Sequence, residues 1–206
     1  MTIPKCCRSS ITFPFTVPHL PHPDRNPWQT LTHRKIYENP WIRLTEFEVL
    51  NPTGKPGIYG VVHFRNQAVG VVPYEAGDIW LVGQYRYPLK RYSWEIPEGG
   101  GSPAEGSLIA AQRELREETG LTATHYEPLL EMHLSNSVSD EWGIVYLATG
   151  LTQGQAQPEE TEELMLRRVP LREALAEVDA GRITDSLSVA AIYKLRIRQL
   201  EGTLPG

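Results

Sequence analysis

Cysteine is nearly absent from this chain, and the two present, Cys6 and Cys7, are adjacent and close to the N-terminus. Such a pair supplies no disulfide framework and no zinc site, so a reducing, cytoplasmic setting is the expectation. Long apolar runs are missing as well. No stretch approaches the roughly 20 residues that a membrane-spanning helix needs. There is no excess of positive charge: 20 Lys and Arg against 25 Asp and Glu leave a formal charge of −5. That balance argues against a broad nucleic-acid-binding surface. A polyanionic small molecule would need local arginines or metal ions. The six histidines are scattered without ligand spacing. Neither internal repeats nor low-complexity linkers appear, and 206 residues suffice for one well-buried domain.

Residues 1–27 are rich in proline and have no period, which reads as a flexible extension. Their apolar core is too short and too proline-broken for a secretory signal. From Trp28 to Leu50, alternation at period two, interrupted at Asn39-Pro40, predicts strands, and the cluster NPTGKPG ends an N-terminal segment over 28–57. IYGVVHFR (58–65) and AVGVVPY (68–74) predict two strands joined at Asn66-Gln67 in hairpin fashion. Further strands are expected at 78–87, 93–99, 126–134, 142–150 and 163–171, and helices at 172–182 and 185–200, the latter capped by Asp185 or Ser186. Strands, a central helix, more strands and then helices suit an α/β fold, a mixed sheet sandwiched between helices, over 58–202.

The densest chemistry lies in GGGSPAEGSLIAAQRELREETGL, residues 99–121. A helix is expected from about Ser107, ending at Gly120 as a left-handed cap, with Leu108, Ala111 and Leu115 as its packed stripe. Glu114 and Glu118 fall one turn apart on the same side and Glu117 beside them. Like charges at that spacing cost an isolated helix a few tenths of a kcal/mol. A divalent cation held between them removes the cost, and an all-oxygen donor set suits Mg²⁺ or Mn²⁺ rather than zinc. Arg113, four residues before Glu117, is near enough to orient it. On residue types alone the run reads equally as a solvated, salt-bridged helix face.

The spacing Gly99, Glu105, Arg113-Glu114-Leu115, Glu117-Glu118, Gly120-Leu121 resembles the Nudix hydrolase signature at all of its fixed positions. The resemblance implies a Nudix-type α/β/α sandwich and hydrolysis of a nucleoside diphosphate linked to a second group. Glu118 and Glu117 would be catalytic, Glu114, Glu117, Glu118 and a group at Glu98 would hold the metal, and Gly99, Glu105, Arg113 and Gly120 would brace the loop and helix. The segment GQYRYPL resembles the ADP-ribose pyrophosphatase branch, where an arginine at the place of Arg86 contacts substrate; a plain surface arginine is the alternative. In that branch a loop at the place of QPEETEEL supplies a glutamate base and a further ligand, matching Glu160 and Glu162, although by composition this run is a solvated loop. SNSVSDE (135–141) departs from the branch by lacking its proline, which leaves the sugar open; Glu141 is a candidate substrate contact or an ordinary turn residue. Trp41, and secondarily Trp28, would stack on a base, with core or dimer packing as the alternative. A small nucleotide-sugar substrate, no nucleic acid, no membrane and a homodimer are the partners the resemblance implies. GDP-mannose or a dinucleotide is the rival substrate, and a non-catalytic nucleotide-sensing module the rival class.

Overall fold

The computed structural model describes residues 25–156 and 163–205. Readings that fall on residues 1–24, and those on Glu160 and Glu162, lie outside the described residues. The first three strands form a sheet of their own, β1 (Gln29–Glu38), β2 (Ile42–Leu50) and β3 (Pro56–Phe64), paired antiparallel in chain order. Asn39 makes the first turn: its Oδ1 accepts the amides of Trp41 (2.9 Å) and Ile42 (2.8 Å), which lets the chain reverse at Pro40. Asn51 does the same for Thr53 and Lys55, at 3.0 Å each.

β3 does not fold back onto β4 (Gln67–Glu75), so the hairpin expected at Asn66-Gln67 is wrong. The chain instead crosses there into a second, 7-stranded mixed sheet of β4, β5 (Asp78–Arg86), β6 (Arg91–Glu95), β7 (Glu98–Gly101), β8 (Leu121–His133), β9 (Trp142–Gln153) and β10 (Met165–Pro170). Its main order is β10-β5-β4-β9-β8, with β6 on β5 and β7 on β4; β4 and β9 run parallel and the other pairs antiparallel. The true hairpin is β4–β5, where Ala76 (φ 51°) and Gly77 (φ 91°) give the two left-handed residues that a tight primed turn demands.

Helix α1 (Ser107–Thr119) covers one face of this sheet, and α2 (Leu171–Asp179) with α3 (Ser186–Leu200) the other. The period-two pattern of β4 feeds both layers. Val69 and Val71 pack with Ala110, Ala111 and Leu115 of α1, and Val72 and Tyr74 with Leu171, Ile192 and Leu195 of α2 and α3. Each large side chain so buried contributes about 1.5–3 kcal/mol. The packed stripe of α1 differs from expectation. Leu108 is exposed, and the inward positions are Ala110, Ala111, Leu115, Thr119 and two acids, Glu114 and Glu118. The glycine tract is strand: β7 pairs Gly99 with Val69 and Gly100 with Ala68. Among the described residues no helix is long and apolar enough to cross a membrane.

Candidate active site

Everything begins with how α1 is delimited. Gly106 precedes it at φ 83°, and the segment before it closes as a separate turn in which Ser102 accepts the Glu105 amide through Oγ (3.2 Å) and through its carbonyl (3.0 Å). Gly120 ends the helix at φ 73°, donating to the Arg116 carbonyl at 2.9 Å. Glu114 and Glu118 thereby face β7 and are 9% and 4% exposed. Glu118 Oε2 accepts the Glu98 amide at 3.0 Å. Gly99 faces Glu114 so closely that an added Cβ would land inside the carboxylate, 2.6 Å from Oε2. Its neighbours are confined too: a Cβ at Gly100 would meet the Asn66 carboxamide at 2.9 Å, and one at Gly101 the Ala110 methyl at 2.8 Å. The three glycines admit a carboxylate, an amide and a helix to one short strand.

Arg113 spans the outer acids. Its Nε donates to Glu105 Oε1 (2.9 Å) and its Nη1 to Glu117 Oε2 (2.9 Å); Nη1 also lies 2.8 Å from Glu114 Oε1, and Nη2 donates to the Gly100 carbonyl (3.0 Å). The hydrogen bond to Glu105, and then those to Glu117 and Glu114, keep the guanidinium firmly protonated; the same bond holds Glu105 below its usual carboxylate range. The orienting contact expected between Arg113 and Glu117 is present, and Glu114 meets the same Nη1. Among the described residues no three carboxylate, imidazole or thiol groups converge on one position.

A cavity of about 790 Å³ opens at the glycine strand β7, and neither Glu114 nor Glu118 of α1 lines it. Arg86, Trp41 and Glu141 line it, together with Glu98, Gly99 and Gly100. Trp28 does not. It packs edge-on against Tyr59 at 5.4 Å and borders a separate cleft with Val49 and Val61. Arg86 is engaged by acids: its Nε donates to both Glu95 oxygens (3.0 and 2.9 Å), and Nη2 bonds Glu95 and Glu98, the latter at 3.0 Å. Burial works against its charge, and the two carboxylates more than restore it. Glu98 is pushed well above the usual carboxylate range, first by burial and then by the charges of Asp185 and Glu95, against the pull of Arg86. Burial likewise raises Glu141, with Asp185 adding to it.

Asp185 was visible in the sequence only as a helix cap, and it is one: Oδ2 accepts the Ser188 amide at 2.8 Å. That it also lines the cavity was not legible, nor were Asn66, Gln67, Phe64 and Ser135. The one available signal was the left-handed tendency of a polar turn; Ser135 adopts φ 33°.

The NUDIX domain model matches residues 64–187, and the nucleoside diphosphate sugar hydrolase N-terminal domain model matches residues 28–62. The chain belongs to the Nudix family. It is 32% identical over 173 residues to an ADP-ribose pyrophosphatase of Mycobacterium tuberculosis (80% of this chain, 81% of the relative). It is 29% identical over 173 residues to an ADP-ribose pyrophosphatase of Bacillus subtilis (83% and 94%). A crystal structure of an ADP compounds hydrolase superposes with a TM-score of 0.77 at 20% identity, covering 86% of this chain and 97% of that one, a likeness of fold.

Nudix hydrolases generally use divalent metal ions, and the residues here fit such an ion. Glu114 and Glu118 are buried oxygen donors one turn apart, and Gly99, lacking a Cβ, leaves the room that the Glu114 carboxylate takes against the strand. No cysteine or histidine is interleaved with these acids along residues 99–121, as a hard cation prefers.

Proposed function

We propose that this Nudix pyrophosphohydrolase splits the diphosphate of ADP-ribose or a closely related nucleotide sugar, yielding AMP and ribose 5-phosphate from the former. The observation that carries the reading is the pair of buried carboxylates, Glu114 and Glu118, against a glycine strand whose Gly99 and Gly100 line a cavity of about 790 Å³. The two ADP-ribose pyrophosphatases among its relatives favour ADP-ribose over GDP-mannose or a dinucleotide. All of the signature acids are present, which favours turnover over mere sensing.

Glu114 and Glu118, with Glu117 and a backbone group at Glu98, would hold Mg²⁺ or Mn²⁺. When bound, the cation offsets the charge of the diphosphate and polarises the phosphorus that is attacked. The chain supplies the rest. Arg86, pinned through Nε and Nη2, keeps Nη1 outside those bonds for a phosphate oxygen. Trp41 is 69% exposed at the cavity mouth, a flat apolar face suited to a base, and Glu141 suits a sugar hydroxyl. Glu160 takes the proton of the water whose oxygen attacks phosphorus in line, as the bridging P–O bond breaks; Glu162 is a further ligand. Glu105 and Arg113 act by bracing Glu114 and Glu117. The N-terminal sheet supports a homodimer, since it exposes Leu31, Ile36, Tyr37 and Ile58. The net charge of −5 disfavours nucleic acid, and the cysteine usage fits the cytoplasm.

A phosphatase-coupled phosphate-release screen of ADP-ribose, other nucleotide sugars and dinucleotides, with Mg²⁺ and with Mn²⁺, tests the reading. ADP-ribose should give the highest kcat/KM. A dinucleotide or GDP-mannose ahead of it overturns the substrate assignment, and cation-independent turnover overturns the site. In the same assay Glu160→Gln should slow turnover far more than Glu159→Gln; equal effects would displace the base to another glutamate.

A further inference from the structure

We propose that the His63–Asp140 pair is a positioning device for the substrate cavity, setting the gap between its aromatic wall and its acidic wall. The proposal rests on reading that cavity as the substrate pocket. Phe64 ends β3 and Trp41 lies in the turn between β1 and β2, whereas Ser135 and Glu141 come from the loop that links β8 to β9. The two walls therefore belong to different sheets, and something must hold them in register.

That loop leans on β3. The Val62 amide donates to the Val138 carbonyl (2.8 Å), the Asp140 amide to the Val62 carbonyl (3.3 Å), and the Tyr59 hydroxyl to the Ser137 carbonyl (2.7 Å). The Asp140 carboxylate accepts the Phe64 amide through Oδ1 (3.3 Å) and meets His63 Nδ1 through Oδ2 (2.6 Å). Among the described residues, the hydrogen bonds that dock the three-stranded sheet on a distant segment end on residues 137–140, and the Arg65 guanidinium on Glu38 adds one at the chain crossing itself. The loop is closed on itself before it docks: the Ser135 carbonyl accepts the amides of Val138 and Ser139 at 3.0 Å each, with Ser135 held at a left-handed φ of 33°.

Within this set the Asp140 carboxylate has a singular place. Through the Phe64 amide it grips a residue of the aromatic wall, and its own chain neighbour is Glu141 on the acidic wall. One side chain thus fixes a residue on each side of the cavity, and His63 fixes that side chain. Neither His63 nor Asp140 lines the cavity. Both act through others, so the effect falls on binding and leaves the chemical step alone.

The test is steady-state kinetics on whichever nucleotide substrate the parent protein cleaves fastest. Absence of ADP-ribose turnover then overturns the substrate reading and still leaves this pair to be judged. Asp140→Ala and His63→Ala are each expected to raise KM about ten-fold with kcat within about two-fold of the parent. Their double variant should be no worse than either alone. His63→Asn puts a carboxamide nitrogen near the place of Nδ1 and should restore KM to within about three-fold. Hydrogen exchange across 134–141 should quicken in the alanine variants and recover in His63→Asn. An unchanged KM in Asp140→Ala, a loss confined to kcat, or His63→Asn no better than His63→Ala overturns the proposal.

Discussion

At Gly99 the absent methyl matters more than backbone freedom, because the space it leaves is where the Glu114 carboxylate lies. The nearest atoms are the far end of a flexible side chain, so Gly99→Ala displaces that carboxylate without forcing the fold apart. Turnover is expected to fall about 100-fold while the thermal midpoint moves by only a few degrees. Activity and melting measured on one preparation check this; a large drop in midpoint would mean that the strand, and not the acid, was displaced. Glu118→Gln keeps the size of the side chain and its acceptor for the Glu98 amide. It should fold normally and lose at least about 100-fold in turnover. Near-normal magnesium-supported rates would remove Glu118 from the ligand set. These acids were legible because their spacing along one helix is set by backbone geometry alone. Arg86 was only half legible: its place at a strand end could be read, but not that Glu95 and Glu98 pin it, since that depends on β5 pairing with β6.

Elements fail at their ends, and two ends here are exposed to test. Gly120 closes α1 at φ 73°, and a Cβ there would also meet backbone atoms of residues 154–156 at 2.6–2.8 Å. Gly120→Ala combines a left-handed cost of about 1–2 kcal/mol with a backbone collision, so a loss above about 2 kcal/mol in urea unfolding is expected. The second end is the loop that follows β8. Burial pushes the Asp140 carboxyl up, but His63, the Phe64 amide and the His63 charge together hold it below its ordinary value. A lowered folded-state value means that the stabilisation is fully present above the ordinary Asp range, near 3.9, and is lost as pH falls through the lower folded-state value. Exchange protection over 134–141 should therefore persist at pH 5 and disappear only in more strongly acidic buffer, provided the sheet stays folded. Loss of protection already at pH 5 would show that the Asp140 carboxylate does not hold the contact. The extent of α1 was readable from its glycines, and so were Ala111 and Leu115 of its buried stripe, while Leu108 was misplaced. Helical spacing permits either Leu108 or Ala110 to face inward, and in the fold it is Ala110 that packs with Val69, Val71 and Ile144.

Over the whole molecule, two sheets meet at one chain crossing and one docked loop, and the three-stranded sheet leaves apolar side chains in water. The proposed homodimer predicts a light-scattering mass of twice the 23.2 kDa chain, and Ile58→Glu, at a position 72% exposed, should reduce it to that of the single chain. A parent protein of single-chain mass overturns the dimer. The sequence by itself determined the local part of this protein: the alternation that makes each strand, the glycine and aspartate caps, and the acidic helix with its oxygen-only chemistry. These depend on conformational preferences and side-chain spacing over a few residues. Only the tertiary structure decided that β3 leaves β4 for another sheet, that Trp41 and not Trp28 reaches the cavity, and that Asp185 joins Glu98 and Glu141 around it. Such convergence is set by which apolar faces bury one another, a competition among distant segments that no single stretch of sequence contains.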